Sequence, residues 1–251
     1  MCQGRTHALS GAVAGAAAGV FALHTALAGT ADLTVLTAGF ATVSDLDQCG
    51  STAARSFGIV TELFARFVRW ASGGHRHATH TAVFSVAFAG LAWLAGECRH
   101  DWPGRAGLVF LLAVGVASGM DALHPPRTPR GGHRHRPLIR YTDLLAAGAA
   151  IFVCVTGWDL ALVPYAAGAG ILAHIAGDEL TKHGVPFFWP VTARMFHLLP
   201  KRLRFTTGTW PERRVLVPLL TVGLAWLSYR AVSGHVDVPA VHHFAGHLPR
   251  D

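Results

Sequence analysis

The chain has 251 residues, of which 51% are hydrophobic and only 14% are charged, and its mean hydropathy is +0.38. Because soluble domains carry about 25% charged residues, this composition argues against a soluble protein and predicts a membrane protein. The formal net charge is +7, but the basic residues lie in loops between apolar runs and form no nucleic-acid-binding motif, so we expect no nucleic-acid partner.

Seven apolar segments follow one another along the chain, at approximately residues 8–26, 31–44, 79–96, 106–122, 143–158, 160–177 and 214–232. A membrane-spanning helix needs about 20 residues, so we expect the shorter segments to be tilted, kinked or partly inserted. The sequence therefore predicts an all-α, polytopic membrane bundle with five to seven apolar segments. The first six segments form three helical hairpins, with bends at residues 29–30, 98–105 and 157–159.

One stretch between the second and third segments has a different pattern. Residues 54–72 carry apolar side chains at helical spacing, while Arg66 and Arg69 lie elsewhere on the same helix. This pattern predicts an amphipathic helix. Two placements remain open for it, namely flat on the cytoplasmic leaflet or packed on the bundle.

Lysine and arginine are unevenly divided between the two sides of these hairpins. Of the 21 basic residues, the three bends contain two and the loops on the opposite side contain 17. Because cytoplasmic loops are enriched in Lys and Arg, we expect the bends outside and the other loops in the cytoplasm. This predicts a multi-pass protein of the cell membrane, whose partners are membrane lipid and a small-molecule or lipid substrate. No pattern indicates an oligomeric state.

Four short polar islands interrupt the apolar background, each beside the end of an apolar segment. They are Thr6-His7, Asp45-Leu46-Asp47, the run from His75 to His80, and His174 with Asp178-Glu179-Leu180-Thr181. Ionisable groups next to membrane-length segments indicate function. Imidazole and carboxylate are also the ligands of hydrolytic metal centres. The predicted topology places all four islands on the cytoplasmic side.

Two spacings in these islands suit metal ligands. His174 and Asp178 are four residues apart and share one face of a helix. Asp45 and Asp47 are two residues apart and point the same way in an extended segment. Each pair also has a structural alternative: a histidine–aspartate hydrogen bond for the first, and a helix cap or turn for the second. Arg76 suits a phosphate, because a guanidinium group binds two oxygens at once.

Together, the islands resemble the YdjM-type membrane-bound metal-dependent hydrolases. The resemblance rests on Asp45-x-Asp47, His75-Arg76-x-x-Thr79-His80 and His174-x-x-x-Asp178-x-x-Thr181-x-x-Gly184, preceded by Thr6-His7 and followed by Trp189-Pro190. The chain departs from the family at Ser44, His77 and Thr81, where Pro, Gly and Ser are usual. We therefore expect a membrane-embedded hydrolase-like domain over residues 1–190. Residues 191–251 would form a basic loop, the last transmembrane helix and a polar tail.

The resemblance implies a set of metal ligands and two catalytic residues. The implied ligands are His7, Asp45, Asp47, His80, His174 and Asp178, and the implied catalytic residues are Arg76 and His75. Mixed imidazole and carboxylate ligands suit a divalent metal, with zinc or manganese as the first candidates. Six ligands exceed the four of a tetrahedral zinc, so either two metals share the site or some members act indirectly.

The predicted function is a membrane-bound hydrolase that uses a metal-activated water on a phosphoester of a lipid or membrane-associated substrate. One alternative is a metal or proton transporter, which places its ligands near the bilayer midplane. The other is a non-catalytic membrane scaffold, whose polar islands would lie far apart. The hydrolase hypothesis requires all six candidate ligands to meet in one cluster.

Overall fold

The structure is a computed structural model that describes residues 4–51, 53–123, 141–156 and 160–234. Within these ranges the protein has eight α-helices, two isolated β-bridges and no β-strands. Two sequence predictions lie outside the described residues: the third bend at 157–159, and the part of the polar tail beyond residue 234.

The helices follow the predicted apolar segments, with the amphipathic helix as the third. They are α1 (Gly4–Ala17), α2 (Leu27–Phe40), α3 (Ile59–Ala71), α4 (Ala82–Glu97), α5 (Trp102–Leu123), α6 (Tyr141–Thr156), α7 (Val163–Glu179) and α8 (Val217–Ser233). Five helical stretches of the described chain are long and apolar enough to cross a membrane: Leu27–Asp47, Ala82–His100, Trp102–Leu123, Leu160–Glu179 and Glu212–Ser233. The predicted all-α, polytopic membrane architecture is confirmed.

Close helix contacts place α2 at the centre of the bundle, between α1, α5 and α7. Gly11 and Gly15 of α1 lie against the backbone of α2, and an added Cβ at either position would overlap a carbonyl oxygen of α2. Gly39 of α2 lies equally close to the backbone of α5. Because lipid tails are as apolar as side chains, such close packing of small residues is a main source of helix association in a membrane.

The helical connections differ in detail from the prediction. The first bend lies at residues 23–26, because 29–30 already belong to the first turn of α2. The second bend contains a short 3₁₀ helix, Cys98–His100, and α5 begins at Trp102. The fifth and sixth segments pack on different neighbours: α6 lies chiefly against α5, whereas α7 lies against α4, α2 and α1.

The amphipathic helix α3 leaves much of its apolar side exposed. Ile59, Leu63 and Phe67 are each more than half exposed, whereas Thr61 and Ala65 are buried against the bundle. If α3 stabilised the bundle mainly by apolar packing, Ile59, Leu63 and Phe67 would be buried against it. The orientation therefore fits an interfacial helix whose apolar face contacts lipid.

All four polar islands lie at one end of the bundle, which we call the site end. This end contains the start of α1, the end of α2, the start of α4 and the end of α7. The last segment begins there too, because the hydroxyl of Thr6 donates a hydrogen bond to Oε1 of the buried Glu212 at 2.7 Å. The connection between α7 and α8 folds on itself through the bridges Thr181–Phe205 and Val185–Phe196.

Candidate metal centre

The last two turns of α7 provide two candidate ligands on one helix face, as their spacing predicted. His174 and Asp178 are fully buried, and Nε2 of His174 lies 3.9 Å from Oδ2 of Asp178. The other ring nitrogen of His174 donates to the backbone carbonyl of Ala41 at 2.7 Å. This hydrogen bond selects the tautomer and orients the ring, so that the lone pair on Nε2 points into the cluster.

The two aspartates after α2 lie in a 3₁₀ helix, Val43–Asp47, and not in an extended segment. A 3₁₀ helix has three residues per turn, so Asp45 and Asp47 point in different directions and have different partners. Oδ1 of Asp45 lies 3.7 Å from Nε2 of His174 and 4.0 Å from Nε2 of His80. That oxygen is buried and makes no hydrogen bond with any described residue. Asp45 therefore faces the cluster directly.

Asp47 instead anchors the loop that precedes α4. Its Oδ1 lies 2.7 Å from Nδ1 of His75, and its Oδ2 accepts hydrogen bonds from the backbone of Arg76 at 3.2 Å and the hydroxyl of Thr79 at 2.5 Å. Arg76 has a φ of +60°, a conformation that is uncommon for any residue except glycine. The contacts to Asp47 hold the loop in this conformation at the edge of the cluster.

Thr79 connects the two halves of the site. Its hydroxyl donates to Asp47 and accepts from Nδ1 of His80 at 3.0 Å, which leaves the lone pair of Nε2 of His80 free to face a metal. Burial lowers the pKa of His80 to about 4, although the carboxylates of Asp47 and Asp178 oppose this shift. The ring is therefore neutral at pH 7, as metal binding requires.

We expect Thr79→Val to weaken metal binding about 10–100-fold, the usual effect of removing a group that orients a metal ligand. Valine keeps the shape but loses both hydrogen bonds, whereas Thr79→Ser keeps the hydroxyl and serves as the matched control. Metal affinity would be measured by competition with a chelator. Equal affinities for the two variants would contradict the orienting role.

The six candidate ligands converge, as the hydrolase hypothesis required. Nε2 of His7 lies 3.5 Å from Oδ1 of Asp178, and the ring of His7 stacks on that of His174 at 3.7 Å. Nε2 of His80 lies 3.1 Å from Nε2 of His174. Three overlapping groups each have ligand atoms within 4.8 Å of one another: His7/His174/Asp178, Asp45/His80/His174 and Asp45/Asp47/His75.

These distances and atoms fit a bound divalent cation. Ligand atoms around a tetrahedral zinc with bonds of 2.0–2.1 Å are about 3.4 Å apart, close to the separations of 3.1 to 4.0 Å between the atoms that face each other in the cluster. Nε2 of His7 and Oδ1 of Asp45 are buried without a hydrogen bond to any described residue. Buried polar atoms ordinarily have partners, and a cation between them would supply one.

Arg76 and His75 lie at the rim of the cluster. Nη2 of Arg76 is 3.1 Å from Oδ2 of Asp178, and Nη1 donates to the backbone carbonyl of Gly184 at 3.2 Å. His75 has a side-chain exposure of 22%, compared with 0% for Asp47 and Asp178. These two side chains are therefore more exposed than the buried carboxylates that they contact.

Several side chains and backbone groups contribute to the site in ways that no local spacing predicts. The orienting roles of Thr79 and of the Ala41 carbonyl depend on the folded geometry, as does the position of Gly177, where an added Cβ would lie 3.3 Å from Nδ1 of His7. His77 is the one departure from the family pattern that carries an imidazole. Its Nδ1 donates a hydrogen bond to the carbonyl of Ser72 at 3.0 Å, and its ring packs against Trp189. His77 belongs to none of the ligand groups among the described residues.

Comparison with known proteins places the chain in a family of membrane proteins. The sequence model of the family described as YdjM inner membrane protein matches residues 1–236. This match extends beyond residue 190, where the polar motifs end, and includes α8, which is consistent with the contact between Thr6 and Glu212. No curated protein and no solved structure matches the chain.

Proposed function

The chain belongs to the YdjM inner membrane protein family, and from this premise we propose that it is a membrane-embedded, metal-dependent hydrolase. Its substrate would be a phosphoester of a lipid or of another membrane-associated molecule. The observation that carries the proposal is the buried cluster of His7, Asp45, Asp47, His80, His174 and Asp178 at one end of a multi-pass bundle.

The residues of the cluster divide into three roles in this proposal. The six buried imidazoles and carboxylates would hold the metal, which when bound lowers the pKa of a water and polarises a phosphoryl oxygen. Arg76 would orient the phosphoryl group, because its guanidinium group faces the cluster beside Asp178. His75, held by Asp47 at 2.7 Å, would move a proton at the rim.

The position of the cluster along the helices favours an enzyme over a transporter. His7 lies in the first turn of α1, and Asp178 is one residue from the end of α7. Transporter sites lie near the bilayer midplane, which would be the middle of these helices. The convergence of the four islands also opposes the scaffold alternative, which required them to be far apart.

Metal removal tests the proposal directly. We expect the purified protein to contain about one or two divalent ions per chain, given the size of the ligand set. Chelation should abolish hydrolysis in a phospholipid panel, and zinc or manganese should restore it. Elemental analysis and product detection by mass spectrometry provide the two measurements. Full hydrolysis by metal-free protein would refute the proposal.

We further propose that the site end faces the cytoplasm, because 17 of the 21 basic residues belong to that side. Lys201 and Arg99 are exposed at opposite ends of the bundle. In a background without native cysteines, a membrane-impermeant maleimide should label Arg99→Cys in intact cells. It should label Lys201→Cys only after permeabilisation. The reverse pattern would overturn the orientation.

A further inference from the structure

An apolar cavity of about 230 Å³ lies between α4 and α5 and reaches the site end. Its walls include Phe88 and Ala95 of α4, Gly107 and Val114 of α5, and Val43 and Leu46 of the 3₁₀ helix. Two larger cavities lie elsewhere. One extends between α4 and α7 to Arg99 and Tyr165, and the other lies between α2, α5 and α6 near Leu160. Both reach the opposite end of the bundle.

The 3₁₀ helix forms a wall of both the cavity and the metal cluster. In a 3₁₀ helix, residues i and i+3 lie above one another, so Val43 and Leu46 share one face, and both line the cavity. Asp45 and Asp47 lie on the other two faces and turn towards His174 and His75. A molecule in this cavity would therefore be separated from the metal ligands by the width of one short helix.

The cavity runs lengthwise along the two helices. Phe88, Leu91 and Ala95 recur at helical spacing on one face of α4 and extend over about 10 Å, at 1.5 Å per residue. Leu91 and Phe110, on facing walls, are 55% and 37% exposed, so the cavity opens sideways towards lipid. Phe64 of α3 covers it at the site end and packs edge-to-face on Phe110 at 5.7 Å.

We propose that this cavity holds one acyl chain of a phosphate-bearing lipid whose headgroup lies at the metal cluster. The proposal rests on the proposed function and assigns its substrate to lipids. An acyl chain suits the site because the lining is apolar throughout, the long axis follows the membrane-spanning helices and the open side faces the bilayer core. The polar headgroup would then lie beside Arg76 and His75, at the level where α3 contacts the membrane interface.

Photolabelling of the full-length protein tests this site without requiring turnover. The probe is phosphatidic acid with a diazirine in the distal half of one chain, compared with diacylglycerol carrying the same chain. We expect phosphatidic acid to label residues 88–95 and 107–114 at least about fivefold more strongly, because only its phosphate binds the cluster. Equal labelling by both lipids, or labelling confined to outward positions such as Val83, would overturn the proposal.

Substitutions at the end of the cavity that is farthest from the metal cluster provide a second test. Ala95→Phe should reduce cavity labelling and shift hydrolysis towards shorter acyl chains, while metal content stays constant. Gly107→Leu, where an added Cβ meets no atom within 4 Å, should do the same with less risk to folding. Val83→Phe lies on the same helix at a position that is 54% exposed, and it serves as the control without effect.

The two proposals fail in distinguishable ways. Cavity labelling without hydrolysis of any lipid would refute the hydrolase but retain the lipid site. Hydrolysis with an unchanged chain-length profile in both Ala95→Phe and Gly107→Leu would retain the hydrolase and refute the acyl-chain site.

Discussion

Asp178→Ala is expected to remove bound metal and hydrolytic activity together. Asp178 lies at the centre of the cluster, 3.5 Å from His7, 3.7 Å from His80 and 3.9 Å from His174. Loss of a group that orients a ligand reduces metal affinity about 10–100-fold. Loss of a direct ligand should reduce the affinity further. Elemental analysis and hydrolysis of a phospholipid panel, on the same preparation, measure the two effects.

Two further variants separate ligand loss from general damage. Asp178→Asn keeps the side-chain volume but removes the charge, and should also lose metal. Glu179→Ala removes the neighbouring carboxylate of the same helix, which belongs to none of the ligand groups among the described residues, and should retain metal and activity. A folded, metal-free and fully active Asp178→Ala protein would end the metal-hydrolase hypothesis.

The sequence predicted those parts of the site that depend on local periodicity. A separation of four residues in an apolar helix places His174 and Asp178 on one face, whatever the rest of the chain does. A separation of two residues is less informative, because it specifies a common direction only in an extended segment. The chain after α2 turns as a 3₁₀ helix instead, so Asp45 and Asp47 acquire different partners.

Local sequence patterns did not predict the contacts between distant segments. Thr6 and Glu212 are 206 residues apart, and no spacing rule connects them. The orienting role of Thr79 likewise appears only once Asp47 and His80 lie on either side of its hydroxyl. For α3, periodicity predicted an amphipathic helix, but only the folded structure showed that Thr61 and Ala65 face the bundle while much of the apolar face stays exposed.

Arg76→Lys should separate metal binding from activity. The guanidinium group contacts Oδ2 of Asp178 through Nη2 and the carbonyl of Gly184 through Nη1. An ammonium group retains the positive charge beside Asp178 but cannot bind two oxygens in a planar fork. We therefore expect a metal content close to wild type and a loss of hydrolysis of about 10- to 100-fold, as for one or two lost hydrogen bonds to a charged group.

The matched control is Arg69→Lys, an exposed position on α3, which should hydrolyse the panel at the wild-type rate. Metal content and the rates of hydrolysis of phosphorylated lipids are measured for both variants. The loss of hydrolysis in Arg76→Lys should be largest for substrates with a terminal phosphate. Loss of metal in Arg76→Lys would instead show that Arg76 positions Asp178 for metal binding. Wild-type activity with full metal content would remove Arg76 from the proposed mechanism and leave phosphate orientation to the metal and His75.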